Sequence, residues 1–223
     1  MTFKYKYQEE HVKHCLEQVW ESDEKYGGTL QVYDDLAPYE YEQIKEFIPP
    51  ELYGQGDFSR GNRVLELGAG QGRGSIYLNH VFNNPYLGWV LADRDGSSKK
   101  NTGAFNPKED EYYCDFESTR SFCKINGLSR FTMFDTEKEA WRQLGKFKFI
   151  FSFCSFGMHV PIERYIDQIA NVSYEGTTLI FGTRHAGYND KSFSDKFKEI
   201  IFKPSKGQAP FPIENWLILK GLK

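Results

Sequence analysis

The segment at residues 64–72, VLELGAGQG, constrains the fold more than any other part of this chain of 223 residues. Its first four residues are typical of a short buried strand, and three glycines follow within the next five residues. Residues 75–82 then have the apolar spacing of a helix. A glycine-rich turn between a strand and a helix lets the backbone approach a ligand closely, and the helix presents its N-terminus to that ligand. The pattern predicts a cofactor-binding turn in an α/β protein.

From residue 63 onward, short apolar strands alternate with helices. The predicted strands are residues 64–67, 89–92, 131–134, 147–153, 177–181, 200–202 and 216–219, and the predicted helices are residues 75–82, 116–125, 162–170 and 193–200. This alternation predicts a three-layer, Rossmann-like α/β fold with a mainly parallel sheet and helices on both faces. Only a loop separates the last two strands, so we expect a hairpin that gives the seven-stranded sheet an antiparallel edge strand.

The first sixty residues have a different pattern. Apolar residues at helical spacing predict an amphipathic helix over residues 8–26 and a shorter helix over residues 38–47. A turn-rich stretch then leads into the first strand. We interpret residues 1–60 as a helical N-terminal lid on the domain formed by residues 61–223, and not as a separate domain.

Composition narrows the range of partners. The net charge of −3 and the pI of about 6.0 disfavour a nucleic-acid substrate, because nucleic-acid binders usually carry a basic stripe. The four cysteines lack the paired spacing of a zinc site, which indicates reduced thiols and argues against a structural zinc site. No metal ligand is predicted, and metal dependence stays open. The sequence has neither a signal-peptide pattern nor an apolar run of about 18 residues. We therefore expect a cytoplasmic protein with a small-molecule substrate, and the oligomeric state stays open.

The positions of the glycines distinguish between cofactors. The dinucleotide-binding fingerprint has glycine at its first, third and sixth positions. Here Gly68 and Gly70 fit, but the sixth position is Arg73, and the third glycine is Gly72. Glu66 stands two residues before the first glycine, where its carboxylate would repel a pyrophosphate and would suit a cationic ligand that carries an amino acid and a sulfonium. The spacing argues against a nicotinamide dinucleotide.

The segment VLELGAGQG resembles motif I of the class I methyltransferases that depend on S-adenosylmethionine (SAM), hhExGxGxG, and the resemblance covers about residues 60–221. It implies that the glycine turn, including Leu67 and Ala69, passes under the methionine part of SAM. It also implies that Glu66 orients the amino end of the methionine. SAM is thus the expected cofactor.

Polar residues after the next two predicted strands continue the resemblance. Asp93 directly follows the second strand, and the resemblance implies that it accepts both ribose hydroxyls, with Arg94 beside it. Asp95 is a nearby alternative for that role.

Asp135 follows the third predicted strand, where the family has a polar residue that contacts the adenine amino group, with the backbone of Thr136 nearby. Asp135 and Thr136 also have the pattern of an N-cap ahead of a helix over residues 137–141. Both roles are compatible.

The residues after the fourth predicted strand include the first candidate for catalysis. His159 has the side chain with a suitable pKa for a general base on a substrate hydroxyl. The alternative is structural, because many family members carry a histidine before a similar helix start at Pro161. Ser152 and Phe153 are expected to contact SAM, and Ser155 or Cys154 to line the acceptor pocket, unless these side chains are simply buried at the strand end.

Arg184 and His185 follow the fifth predicted strand, where residues are placed to meet a substrate. Arg184 would suit an anionic or polyhydroxylated acceptor, and His185 is a second catalytic candidate, although both also fit a solvated loop. In the lid, Tyr33 either closes over SAM or substrate or packs in the core.

The sequence therefore predicts a SAM-dependent methyltransferase acting on a hydroxyl of a small molecule. The segments ADRDGSSKKNTGAFN and SFCSFGMHVPIERYID are similar to parts of bacterial sugar O-methyltransferases, which favours a sugar-like acceptor. Three alternatives stay open: an RNA or small-molecule N-methyltransferase, an NAD-dependent oxidoreductase, and a SAM-binding protein without catalysis.

Overall fold

A seven-stranded sheet forms the centre of the protein in the computed structural model, which describes residues 3–19, 29–54, 62–96, 114–157, 160–183, 191–206 and 213–223. The strands are β1 Arg63–Leu67, β2 Gly88–Asp93, β3 Phe131–Asp135, β4 Phe149–Ser152, β5 Thr178–Thr183, β6 Phe197–Pro204 and β7 Asn215–Leu222. They are ordered β3-β2-β1-β4-β5-β7-β6. Because the chain proceeds outward in both directions from β1 and β4, the carboxyl ends of these two neighbours form the switch point at which such sheets bind ligands.

Helices cover both faces of the sheet, as predicted for a three-layer fold. They are α1 Glu9–Val19, α2 Leu30–Ile44, α3 Arg73–Phe82, α4 Phe116–Ile125, α5 Ile166–Asn171 and α6 Lys191–Lys196. Successive strand residues point to opposite faces. Val64 and Ile180 lie in the core shared with α2, α3 and α4, whereas Leu65 and Leu179 lie in the core shared with α5 and α6.

The N-terminal helices belong to the first of these cores. Tyr33 and Ile44 of α2 pack in the same hydrophobic cluster as residues of α3, α4 and the sheet. Helix α2 begins at Leu30 and not at Pro38, because Thr29 caps it by accepting a hydrogen bond from the backbone N–H of Val32. Pro38 therefore lies inside the helix. The part of the predicted first helix beyond residue 19 lies outside the described residues.

The C-terminal strands form the predicted antiparallel edge of the sheet, but the boundary between the last helix and β6 differs from the prediction. Helix α6 ends at Lys196, so residues 197–200, for which the local spacing predicts a helix, begin β6 instead. Strand β7 lies between β5 and β6 and pairs antiparallel with both, so β6 is the outermost strand of the predicted antiparallel edge. Pairing with β7 aligns Ile200 with Leu219 and Phe202 with Leu217, and these long-range contacts override the local helical spacing.

Two further findings concern chemistry and location. No helix among the described residues is long and apolar enough to cross a membrane. Within the same residues, no group of three or more histidine, cysteine or acidic side chains is arranged to hold a metal ion.

Candidate functional site

The glycine turn between β1 and α3 has a backbone that requires glycine at three positions. Gly68, Gly70 and Gly72 have φ angles of 65°, 53° and 76°, in the left-handed region that other residues rarely adopt. The N–H groups of Gly68 and Ala69 donate to the carbonyl oxygen of Ala92 at 2.8 and 3.2 Å. The turn therefore crosses from the end of β1 to the end of β2 and stays fixed there.

Asp93 ends β2 and holds the glycine turn directly. Its Oδ2 accepts a hydrogen bond from the N–H of Gly70 at 2.7 Å, and its Oδ1 accepts one from the N–H of Arg94 at 2.7 Å. Burial raises the pKa of Asp93 to about 6, while these two N–H groups oppose the shift. An ionised carboxylate accepts about four hydrogen bonds, so each oxygen keeps capacity for one more donor, such as a ligand hydroxyl.

Glu66 lies on β1 at the other side of the same turn. Its Oε2 accepts hydrogen bonds from the backbone N–H of Ser75 at 3.0 Å and from the Ser75 hydroxyl at 2.6 Å. The N-cap residue Gly72 has no side chain, so Glu66 accepts the hydrogen bond from an N–H group in the first turn of α3 that a capping side chain would otherwise accept. Burial raises the pKa of Glu66 to about 7. The predicted contact of Glu66 with a methionine amino group stays a prediction.

Asp135 lies beside Asp93, since the two residues are paired neighbours at the ends of β3 and β2. Its Oδ1 accepts hydrogen bonds from the N–H groups of Glu137 and Lys138 at 3.0 and 3.2 Å, and its Oδ2 pairs with the Lys138 ammonium at 3.0 Å. The predicted helix over residues 137–141 is wrong: the capped segment is a turn, followed by a short 3₁₀ helix that begins at Trp141.

Thr136 and Arg94, which are neighbours of these carboxylates in the sequence, are also held by polar contacts. The N–H of Thr136 donates to the carbonyl oxygen of Asp93 at 2.9 Å, and the side chain of Arg94 pairs with Glu137 at 3.2 Å. The predicted cofactor residues at the ends of β1, β2 and β3 thus form one connected group.

The segment after β4 closes onto the glycine turn. The buried Ser152 hydroxyl oxygen accepts a hydrogen bond from the N–H of Phe156 at 3.0 Å, and the ring of Phe153 lies edge-on to Trp216. Ser155 fills the space above Gly68: a Cβ atom added to Gly68 would lie 2.0 Å from the Ser155 Oγ. The structure therefore places Ser155 against the predicted cofactor turn, Phe153 beside Gly74 in the first turn of α3, and Ser152 at the end of β4.

A buried ion pair that the sequence did not predict connects α2 to this region. The guanidinium of Arg73 binds both carboxylate oxygens of Glu40, at 2.5 and 3.1 Å, and both side chains are buried. The thiol of Cys154 donates to Glu40 at 3.2 Å. In addition, the Tyr5 hydroxyl donates to the carbonyl oxygen of Arg73 at 2.9 Å. The N-terminal region is thereby joined to the start of α3 and to the segment after β4.

Four other predicted residues do not join the described site. His159, Arg184 and His185 lie outside the described residues. Tyr33 has no exposed surface and packs against an aromatic cluster that includes Phe122, which corresponds to the core-packing alternative. Because aromatic rings enclose it on several sides, we leave Tyr33 out of the proposed acceptor site.

No protein-family model and no curated protein matches the sequence. Solved structures do match. A single-residue mutant of MtNAS, 17% identical, aligns over 95% of this chain and 70% of its own with a TM-score of 0.54, and the same mutant has been solved in complex with SAM.

Two further solved structures carry methyltransferase names. Precorrin-6y C5,15-methyltransferase from Geobacter metallireducens is 14% identical and aligns over 82% of this chain and 87% of its own, with a TM-score of 0.51. Human methyltransferase-like protein 13, in complex with SAH, is 11% identical and aligns over 82% of this chain and 81% of its own, with a TM-score of 0.50. At such identities the likeness concerns the fold alone, and the predicted fold is confirmed: the chain has the Rossmann-like fold of the class I SAM-dependent methyltransferases.

Proposed function

We propose that the protein is a methyltransferase that binds SAM on the turn formed by residues 68–72. The observation that carries the proposal is the pair of buried carboxylates, Glu66 and Asp93, on either side of a turn with three left-handed glycines at the sheet's switch point. SAM combines a ribose diol with a cationic amino acid and sulfonium, so this set of acceptor oxygens suits it. A pyrophosphate, by contrast, would be repelled by the carboxylate of Glu66 beside the turn.

In the proposed complex, different residues contact different parts of SAM. Asp93 accepts the ribose hydroxyls through the unused capacity of its two oxygens. Glu66 faces the ammonium end, and a cation there would favour its ionised form. Asp135 and Thr136 border the adenine. SAM, when bound, supplies an electrophilic methyl group for transfer.

The acceptor in this proposal is a hydroxyl of a sugar-like small molecule. His159 takes the proton of that hydroxyl while the oxygen bonds to the methyl carbon and the bond from that carbon to the sulfonium sulfur breaks, which leaves S-adenosylhomocysteine. His185 is the second candidate for the same role. Ser155 lines the acceptor side, and Arg184 is the candidate for binding a polar or anionic group of the acceptor. The position of Ser155 against Gly68 supports this arrangement, because it brings the segment after β4 next to the cofactor turn.

The test is a comparison of ligands on the purified full chain. We expect saturable binding of S-adenosylhomocysteine by calorimetry, no binding of NAD at the same concentrations, and transfer of a labelled methyl group from SAM to at least one member of a panel of methyl glycosides. Binding of NAD without binding of S-adenosylhomocysteine would contradict the proposal and favour an oxidoreductase.

The same assay separates the remaining alternatives. Binding of S-adenosylhomocysteine without methyl transfer to any acceptor would favour a protein without catalysis, and binding of RNA that falls steeply with salt would favour an RNA substrate. If His159→Ala and His185→Ala both transfer methyl groups as fast as the wild type, neither histidine is the base.

A further inference from the structure

Gln43 lies one turn after Glu40 on α2, and the oxygen and nitrogen of its buried amide differ in their hydrogen bonding. Its Oε1 accepts hydrogen bonds from the Ser205 hydroxyl and the Lys206 N–H, both at 2.9 Å, and from the Trp216 indole N–H at 3.4 Å. Its Nε2 is buried and has no hydrogen-bond partner among the described residues. A flipped amide would direct its own N–H groups at these donors, so the hydrogen bonds fix the orientation of the side chain.

A buried amide nitrogen without an acceptor is costly, and such groups are rare in native structures. Trp89 provides a useful contrast, because its indole N–H is also buried and without a partner. Trp89 lies near the start of β2, away from the carboxyl ends of the strands, and its ring stacks on Phe82 in the core. Gln43, by contrast, contacts Trp216 at the end of the sheet where β5 finishes.

The contacts of Gln43 place it on the acceptor side of the proposed site. Trp216 is paired with Gly182 near the end of β5, and its ring meets Phe153, which directly follows β4. Glu40, on the same face of α2, binds Cys154 in that segment. Gln43 therefore stands beside the exits of β4 and β5, which in open α/β sheets border the ligand crevice.

We infer that Gln43 is a substrate-binding residue whose Nε2 donates a hydrogen bond to a hydroxyl oxygen of the sugar-like methyl acceptor. The inference rests on the proposed function, since the acceptor is the substrate of that reaction. The Gln43 carbonyl has a structural role, because its hydrogen bonds hold the residues after β6 and the start of β7 against α2. The Gln43 Nε2 has no hydrogen-bond acceptor among the described residues, and its fixed orientation would select an oxygen at one position of the methyl acceptor.

The test compares two variants of the full chain, assayed with methyl glycosides of glucose, galactose, mannose and rhamnose. Gln43→Met removes the donor together with the carbonyl oxygen, whereas Ser205→Ala removes one hydrogen bond to the carbonyl and keeps the donor. We expect Gln43→Met to raise KM for the best glycoside about tenfold. Its affinity for S-adenosylhomocysteine should stay within a factor of two of wild type. Ser205→Ala should change KM less than about twofold, because the Lys206 N–H and the Trp216 indole N–H still hold the carbonyl.

Equal KM values in the wild type and Gln43→Met would overturn the inference, and so would a parallel rise in both variants, which would indicate a purely structural role. A wild type that binds S-adenosylhomocysteine but none of the four glycosides would also overturn it, whereas a wild type that binds no S-adenosylhomocysteine would overturn the proposed function itself.

A second measurement does not depend on the folding of a variant. Crystals of the wild type soaked with S-adenosylhomocysteine and the best glycoside should show a sugar oxygen within hydrogen-bond distance of the Gln43 Nε2. A water molecule at that position, with the sugar bound elsewhere, would contradict the inference.

Discussion

The cofactor half of the proposed site, at the ends of β1, β2 and β3, is held by contacts among neighbouring elements of the chain. Glu66 binds Ser75 across the turn, and Asp93 binds Gly70 from the next strand. The acceptor half, at the ends of β4 and β5, depends instead on α2. The difference teaches that local sequence determines where the cofactor lies, whereas the shape of the acceptor side depends on a helix from a distant part of the chain.

The contact that joins the halves should produce the largest effect when it is broken. Glu40→Gln leaves the buried guanidinium of Arg73 with a neutral partner, and breaking a buried ion pair in this way costs about 3–5 kcal/mol. Urea unfolding followed by circular dichroism measures the change. The matched control is Glu42→Gln on the same helix, which removes an exposed pair with Lys45 and should leave the midpoint unchanged. Equal midpoints for the two variants would show that α2 is not held by this pair.

The second prediction tests the cofactor half. Gly68→Ala places a Cβ 2.0 Å from the Ser155 Oγ on a residue with positive φ, so the turn and the segment after β4 must separate. We expect the affinity for S-adenosylhomocysteine to fall about 100-fold. Gly127→Ala is the control, because Gly127 also has positive φ but has no atom within 4 Å of the added Cβ. Unchanged affinity in Gly68→Ala would exclude this turn as the binding site.

The same comparison explains how much could be predicted from the sequence. The glycine turn and Asp93 were recognisable because left-handed glycines and a carboxylate at a strand end are local requirements of the backbone. Gln43 and Glu40 carried no such signal, since their partners lie at remote positions such as Trp216 and Arg73 and only the folded chain brings them together. The assignment of residues 197–200 to a helix failed for the same reason, because pairing with β7 decides their conformation.

The third prediction concerns Asp93 and pH. With a pKa of about 6 in the free protein, Asp93 loses its negative charge in acid, and a protonated carboxyl accepts the ribose hydroxyls less well. We expect the affinity for methylthioadenosine, which has the ribose but no amino acid, to fall as the pH decreases below 6. Asp93→Asn should bind it about tenfold more weakly at pH 8, with little dependence on pH. Asp35→Asn, an exposed change on α2, should behave as the wild type does.

The raised pKa of Asp93 also predicts the direction in which the unfolding free energy changes with pH. Because the folded state binds a proton more tightly than the unfolded state, this group stabilises the protein below pH 4 and loses that contribution as the pH rises through 6. The loss amounts to about 3 kcal/mol, and Asp93→Asn should abolish it. Unfolding free energies of the wild type and the variant should therefore diverge between pH 4 and pH 7, and parallel curves would contradict the buried position of the carboxylate.

The smallest predicted effect distinguishes the two carboxylates of the cofactor half. Glu66 has a pKa of about 7, so about half of it is protonated at pH 7. A bound ammonium group would lower that pKa, and the complex should therefore release about half a proton. Calorimetry in buffers of different ionisation enthalpy measures this release. S-adenosylhomocysteine should show it, whereas methylthioadenosine and the variant Glu66→Gln should release much less. Equal proton release with both ligands would mean that Glu66 faces only α3 through Ser75 and that the amino acid end of the cofactor is bound by other residues.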